Sequence, residues 1–391
     1  MKLLQKFKGN NLWMSVISFF ILCLIFSGFS LVASNLFENL YVEQGDLKIF
    51  SFLSKNNKIP NTLSNIEVIP SGESIGVKIE SKGVLVVGLS TITDINGKKV
   101  CPAADSGFAV GDKIIKINGR KIENEKDIIE IINEEGNRNN KVTVSIERKG
   151  KPIDLIVIPV QSIEDRLFKI GLWVRDNIAG VGTMTFYEPN TGMFGALGHG
   201  ITDVDSGVLI DIDKGSILKA KVISIQKAKK AAPGEIVGLF AESHGLYGRI
   251  LKNTKFGIYG VLDKQRIDHR KPTIPVALKY QVKEGSAKIL TTIENNKVEE
   301  FDIEILKIFR QQNINSKSMI IRVTDKRLIE KTGGIIQGMS GSPIIQNGML
   351  VGAVTHVLIN DPLKGYGIFA EWMLKETDIN EPLDYKKAAG Q

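Results

Sequence analysis

Ser340 lies in Gly338-Met339-Ser340-Gly341-Ser342-Pro343, a turn crowded with small residues. A serine so placed can act as an acyl-transfer nucleophile. The tetrahedral oxyanion needs backbone N–H donors with no side chain in the way, and Gly338 and Ser340 can supply two from one turn. The chain continues through Ile344-Ile345-Gln346, Asn347-Gly348 and Met349 to Thr355. An Asn-Gly pair between apolar runs predicts a type I′ hairpin with the serine at its mouth. A serine hydroxyl also needs a base within hydrogen-bond reach. Of the four histidines, His199 fits best, because Phe194 to Ile201 reads as an apolar strand that delivers the ring between two glycines. His244 is the reserve, and His269, in Asp268-His269-Arg270, reads as a solvated surface residue.

Spacing does not choose the third member of such a triad, because eight aspartates separate His199 from Ser340. The second strand of the hairpin says more. Against the trypsin-like pattern GDSGGP…NG…GIVSWG, this chain gives GMSGSP…NG…GAVTHV without a gap. Thr355, His356 and Val357 then fall on the strand that pairs with the substrate backbone, with His356 placed to line the specificity pocket. Two residues depart from that pattern. Met339 stands where trypsin has aspartate, and Ser342 replaces a glycine, where a packing or hydrogen-bonding role beside Pro343 is expected.

The elements that must position these residues read as mainly β. Residues 161–391 are rich in valine, isoleucine and glycine and poor in long helical patterns, which predicts a double β-barrel. Residues 71–160 alternate short strands with glycine turns and one helix. Gly83 to Gly88 reads as a glycine followed by a buried strand, and Ala103 to Gly119 as a short helix, a Gly-Asp turn, a strand and an Asn-Gly turn. Asn124 to Glu134 has helical spacing, and Val142 to Ile146 with Ile153 to Ile158 close the sheet. The series resembles a PDZ domain of the bacterial, peptidase-linked type. That resemblance implies peptide or C-terminus binding by strand addition, with the binding loop at Gly83, Val84 and Leu85. A module serving only as a spacer is the bland alternative.

Leu12 to Ala33 is 22 residues without a charge, long enough to cross a hydrocarbon core of about 30 Å. Lys2, Lys6 and Lys8 precede it and Glu38 and Glu43 follow, so the segment reads as an anchor with a cytoplasmic N-terminus and an exported remainder. A cleaved signal peptide ending near Val32-Ala33-Ser34 is the alternative. Residues 1–35 are therefore read as cytoplasmic end and anchor, and 36–70 as a linker. The 43% hydrophobic and 24% charged composition excludes wholesale disorder. The net charge of +8 is scattered rather than striped, which argues against nucleic acid. Cys23 and Cys101 form no disulfide framework, no Cys/His cluster has metal spacing, and no cofactor is expected.

The runs GTMTFYEPNTGMFGALGHGI and VTDKRLIEKTGGIIQGMSGSPIIQNGMLVGAVTHVLINDPLKGYGIFAEWML resemble the stage IV sporulation protein B peptidase family of endospore-forming bacteria. With the PDZ-like module and anchor, the resemblance spans nearly the whole chain. It implies a His, Asp, Ser triad in chain order, which places the aspartate on Asp325. It also implies a signalling serine endopeptidase between the membranes around a developing spore, one that cuts itself and a membrane-associated regulator of an intramembrane protease and so leads to sigma-factor activation. A catalytically silent PDZ protein that tethers partners at a membrane is the alternative from another class. A periplasmic quality-control protease is disfavoured, because those proteins carry the PDZ after the peptidase.

Overall fold

The protein was analysed as a computed structural model, which describes residues 66–240, 245–310 and 314–377. The anchor expected at Leu12 to Ala33 and the reserve base His244 lie outside the described residues. Among the described residues, no helix is long and apolar enough to cross a membrane.

Two closed six-stranded barrels carry the chemistry. The second is Gly285–Glu294, Lys297–Ile308, Met319–Val323, Asp361–Phe369, Met349–Leu358 and Pro343–Gln346, in that order around the ring. Its sequence alternates as a one-sided strand must: Phe301, Ile303 and Ile305 are buried in the core, while Glu300, Asp302 and Glu304 between them face outward. The first barrel closes through Ser74–Leu89, Leu172–Tyr187, Met193–Ala196, Gly257–Leu262, Leu246–Thr254 and Ile212–Gln226, which pairs back to Ser74–Leu89. Ile75, Val77, Ile79, Met184, Phe194, Ile217 and Ile258 fill it.

The smaller module is built on the same long strands. In Ser74–Leu89, residues 75–80 belong to the first barrel, whereas Val84 and Leu85 pair with Ile114 and Lys113. Lys113–Ile117, Val142–Arg148 and Lys151–Val157 extend that sheet. The chain thus leaves the barrel, forms the module, and returns through Leu172–Tyr187. Helix Glu125–Asn137 starts where Asn124 and Asp127 form a reciprocal capping box and packs Ile128, Ile131 and Ile132 on the sheet. The Asn118-Gly119 and Asn347-Gly348 pairs both have positive φ at each residue, as type I′ hairpins require. The Gly-Asp turn read from sequence has a structural purpose. Asp112 is fully buried and accepts from Arg148 Nε at 2.6 Å and Nη2 at 2.7 Å.

Two expectations change. Glu67–Pro70, in the stretch read as a linker, is a strand paired with Tyr187, Phe186, Pro275 and Ile274, because its Val68 and Ile69 are buried. Gly83, Val84 and Leu85, expected as a peptide-binding loop, lie within strand Ser74–Leu89: Val84 and Leu85 are buried, and Leu85 pairs with Lys113 on one side and Arg175 on the other, which leaves Leu85 no free edge for strand addition.

Candidate active site

A cleft of about 810 Å³ holds Ser340, His199, His356, Thr355, Val357 and Gly338 along its walls. Strand Met193–Ala196 delivers the histidine through Leu197 and Gly198, whose φ values are 69° and 71°. A left-handed leucine is strained, and its side chain is held over Gly182, where any Cβ would overlap it. His199 Nδ1 lies 2.9 Å from the Gly200 carbonyl, which fits a ring that donates there and leaves Nε2 as the acceptor. Burial holds its pKa below the ordinary value, with the Gly200 contact opposing that fall.

The nucleophile turn is gripped by the opposite barrel. Thr183 N–H donates to the Ser340 carbonyl at 3.0 Å, Thr183 Oγ1 to the Gly338 carbonyl at 2.7 Å, and Thr185 Oγ1 to the Gly341 carbonyl at 2.8 Å. Gly341, at φ 98°, approaches the Thr183 carbonyl and Leu197 N so closely that no Cβ fits. Within the turn, Met339 N–H is taken by the Ile336 carbonyl. The N–H groups of Gly338 and Ser340 donate to no described residue, which leaves both open to an oxyanion. Ser340 Oγ donates to the Thr355 carbonyl at 2.7 Å, so the hydroxyl must rotate to meet a base. Met339 departs from the trypsin pattern for a plain reason: it is fully buried among Ile335, Ile336 and the second barrel's core. Ser342 is fully buried too, but its hydroxyl has no hydrogen-bond partner, so of the roles expected for it only packing is seen.

The structure brings His356, not Asp325, to His199. The two imidazoles lie 4.9 Å apart between centroids at a 40° tilt. Although its outer face is exposed, His356 is pushed down to about 4 by burial, by the His199 charge and by Lys317. Asp325 caps helix Lys326–Thr332, accepts from Arg327 N at 2.8 Å, and pairs with the Arg327 guanidinium at 2.8 Å. That ion pair and cap hold its carboxylate below the usual range. It does not line the cleft, and among the described residues that do, none carries a carboxylate. The acid nearest His199 in sequence, Asp203, is spent on Arg175 and Ser206. His269 is exposed, as expected. Thr183 and Thr185 were not legible as site residues; their signal was a threonine at alternate positions of a strand leading to the histidine.

Among the described residues, no group of three His, Cys, Asp or Glu side chains could hold a metal ion. Residues 74–158 match the PDZ domain family. A putative zinc metalloprotease of Brucella suis is 34% identical over 82 residues, and one of Brucella melitensis matches equally. The chain spans 21% of the length of these curated relatives. Among solved structures, the chain is similar to the active form of the Rv3671c protease from M. tuberculosis, at 15% identity and a TM-score of 0.31 over 53% of this chain and 77% of that one. It is also similar to the PDZ domain of an SdrC-like protein from Listeria monocytogenes, at 21% identity and a TM-score of 0.20 over 24% of this chain and 90% of that one. Residues 166–374, more than half of the chain, match SpoIVB peptidase S55, and the chain belongs to that family.

Proposed function

We propose that the protein is a serine endopeptidase in which His199 activates Ser340 and the N–H groups of Gly338 and Ser340 hold the oxyanion. The observation that carries this reading is the shared cleft, where the nucleophile turn of one barrel and the histidine of the other meet beside two unused N–H donors. Once the Ser340 hydroxyl leaves the Thr355 carbonyl, neutral His199 accepts its proton and later gives it to the leaving amine. Thr355, His356 and Val357 pair with the acyl side of the substrate.

Family membership supports the finer reading: an enzyme of sporulation signalling that cuts itself and a membrane-associated regulator of an intramembrane protease, leading to sigma-factor activation. The uncharged run at Leu12 to Ala33 supports an anchor with the catalytic part outside the cytoplasm, in the space between the forespore membranes. The PDZ module supports a protein or peptide partner. Denatured casein is the probe. Wild type should cleave it and react with a fluorescent phosphonate at Ser340, and both should vanish in Ser340→Ala. Cleavage by Ser340→Ala would refute the assignment. N-terminal sequencing of the exported protein with and without that substitution tests self-cleavage. The Ser340 hydroxyl's donation to Thr355 and a cleft lining without a carboxylate among the described residues favour a silent binding protein, and absence of phosphonate labelling in wild type would select it.

A further inference from the structure

Strand Leu172–Tyr187 is paired with Ser74–Leu89 along nearly its whole length, with register shifts between Trp173 and Val174 and between Arg175 and Asn177, but among the described residues it is paired on its other side only from Thr183 onward. Thr183 fixes the sense of the alternation. Its N–H and C=O bond to Ser340 and Leu197, away from Ser74–Leu89, whereas those of Met184 bond to Glu73 and Gly72. With a period of two, the N–H and C=O of Val181 and Ala179 face the same side as those of Thr183. No described residue pairs with them. Val181, Gly180 and Ile178 line the cleft that holds Ser340 and His199. At its other end the same strand becomes part of the PDZ module's sheet, with Leu172, Trp173, Val174 and Arg175 paired to Leu89, Gly88, Val86 and Leu85. Helix Glu125–Asn137 begins beside it, where the Glu125 N–H donates to the Asp176 carboxylate at 3.0 Å.

We propose that the open edge from Val181 to Asn177 binds the substrate chain on the C-terminal side of the scissile bond, and that the PDZ module, which the same strand enters beyond its irregularity at Arg175–Asn177, receives the chain further on. The inference rests on the peptidase reading. With the acyl side on Thr355–Val357, the leaving side must run from Ser340 past Val181 and Ala179 toward Leu172. The strand itself runs from Leu172 toward Ser340, so the added chain is antiparallel to it, as strand addition favours. At about 3.3 Å per residue the span from Val181 to Trp173 is at most about 26 Å, shortened by the irregularities at Arg175–Asn177 and Trp173–Val174, so roughly six to ten residues beyond the scissile bond reach the module. Trp173, 65% exposed at that end, offers an apolar surface for a substrate side chain. The module thereby measures the length of the leaving segment as well as recruiting it.

The test uses a casein-derived peptide around a mapped cleavage site, with a constant acyl side and two, four, six, eight or ten residues after the scissile bond. For wild type, kcat/KM should rise at least about tenfold along the series, chiefly through KM, and then level off. Ala179→Pro removes the outward N–H while sparing the ladder to Ser74–Leu89, and should flatten the series; Ala179→Val, which keeps the N–H, should preserve it. Should the proline variant fail to fold, the ten-residue peptide carrying single N-methyl groups serves instead, and cleavage should fall at alternate positions among the first residues after the scissile bond, which face Val181 to Asn177. A wild-type kcat/KM independent of length, or uniform tolerance of N-methylation, overturns the proposal. Failure to cleave any peptide overturns the peptidase reading instead.

Discussion

Thr183 donates its hydroxyl proton to the Gly338 carbonyl and its backbone N–H to the Ser340 carbonyl, so a strand of the first barrel holds the nucleophile turn of the second from both sides of Met339. Thr183→Val keeps the backbone bond and leaves the partly buried Gly338 carbonyl without its donor. Stability should fall by about 1–3 kcal/mol. The kcat should fall about tenfold or more, because a small displacement of a nucleophile is costly. A Tm drop with unchanged kcat would mean that the turn holds its shape without this strand.

His199 must be neutral to take the Ser340 proton. Burial lowers its pKa, so the base form should persist below pH 6.5, and the acid limb of kcat/KM should lie below that value. An acid limb at or above 6.5 would contradict a buried base. The linkage to stability has the same origin. Above pH 6.5 neither histidine contributes, whereas on acidification the unfolded chain binds protons before the folded one. Stability should decline from about pH 6.5 downward, with His356 extending the window to about 4. The Tm of His356→Gln should depend less on pH over that range than that of wild type.

Asp325 is a helix cap here, and its substitutions separate that role from one in a triad. Asp325→Asn retains a side-chain oxygen for Arg327 N–H and should keep kcat within a few fold, while Asp325→Ala should cost about 1 kcal/mol of stability. An orienting carboxylate lost from a triad would cost about 10,000-fold in kcat. A loss of that size in Asp325→Asn would show that the carboxylate reaches His199 during catalysis.

Met339→Asp restores the trypsin pattern on paper and places a carboxylate in a fully buried site. It should destabilise the protein by at least about 3 kcal/mol, read as a loss of soluble folded protein or a large Tm drop. A folded, active variant would mean that the turn can open toward solvent.

Local signals carried far in this chain. The two Asn-Gly turns, a helix from Asn124 to Glu134 (found over Glu125–Asn137), the serine turn and the approach to His199 were all readable, because each depends on residues within a few positions of one another. The valine, isoleucine and glycine content and the lack of long helical patterns likewise announced a β-barrel after residue 161, whose strands alternate buried and exposed residues. What the amino-acid order left open was which distant groups would meet. Asp325 was placed by resemblance, and its nearest donor proved to be Arg327, two residues away. The second ring beside His199 belongs to His356, 157 positions on, and Thr183 meets Ser340 across the two barrels. The sharing of Ser74–Leu89 and Leu172–Tyr187 between barrel and module is of the same kind, because a strand's sequence records which face is buried but not which strand lies on either edge.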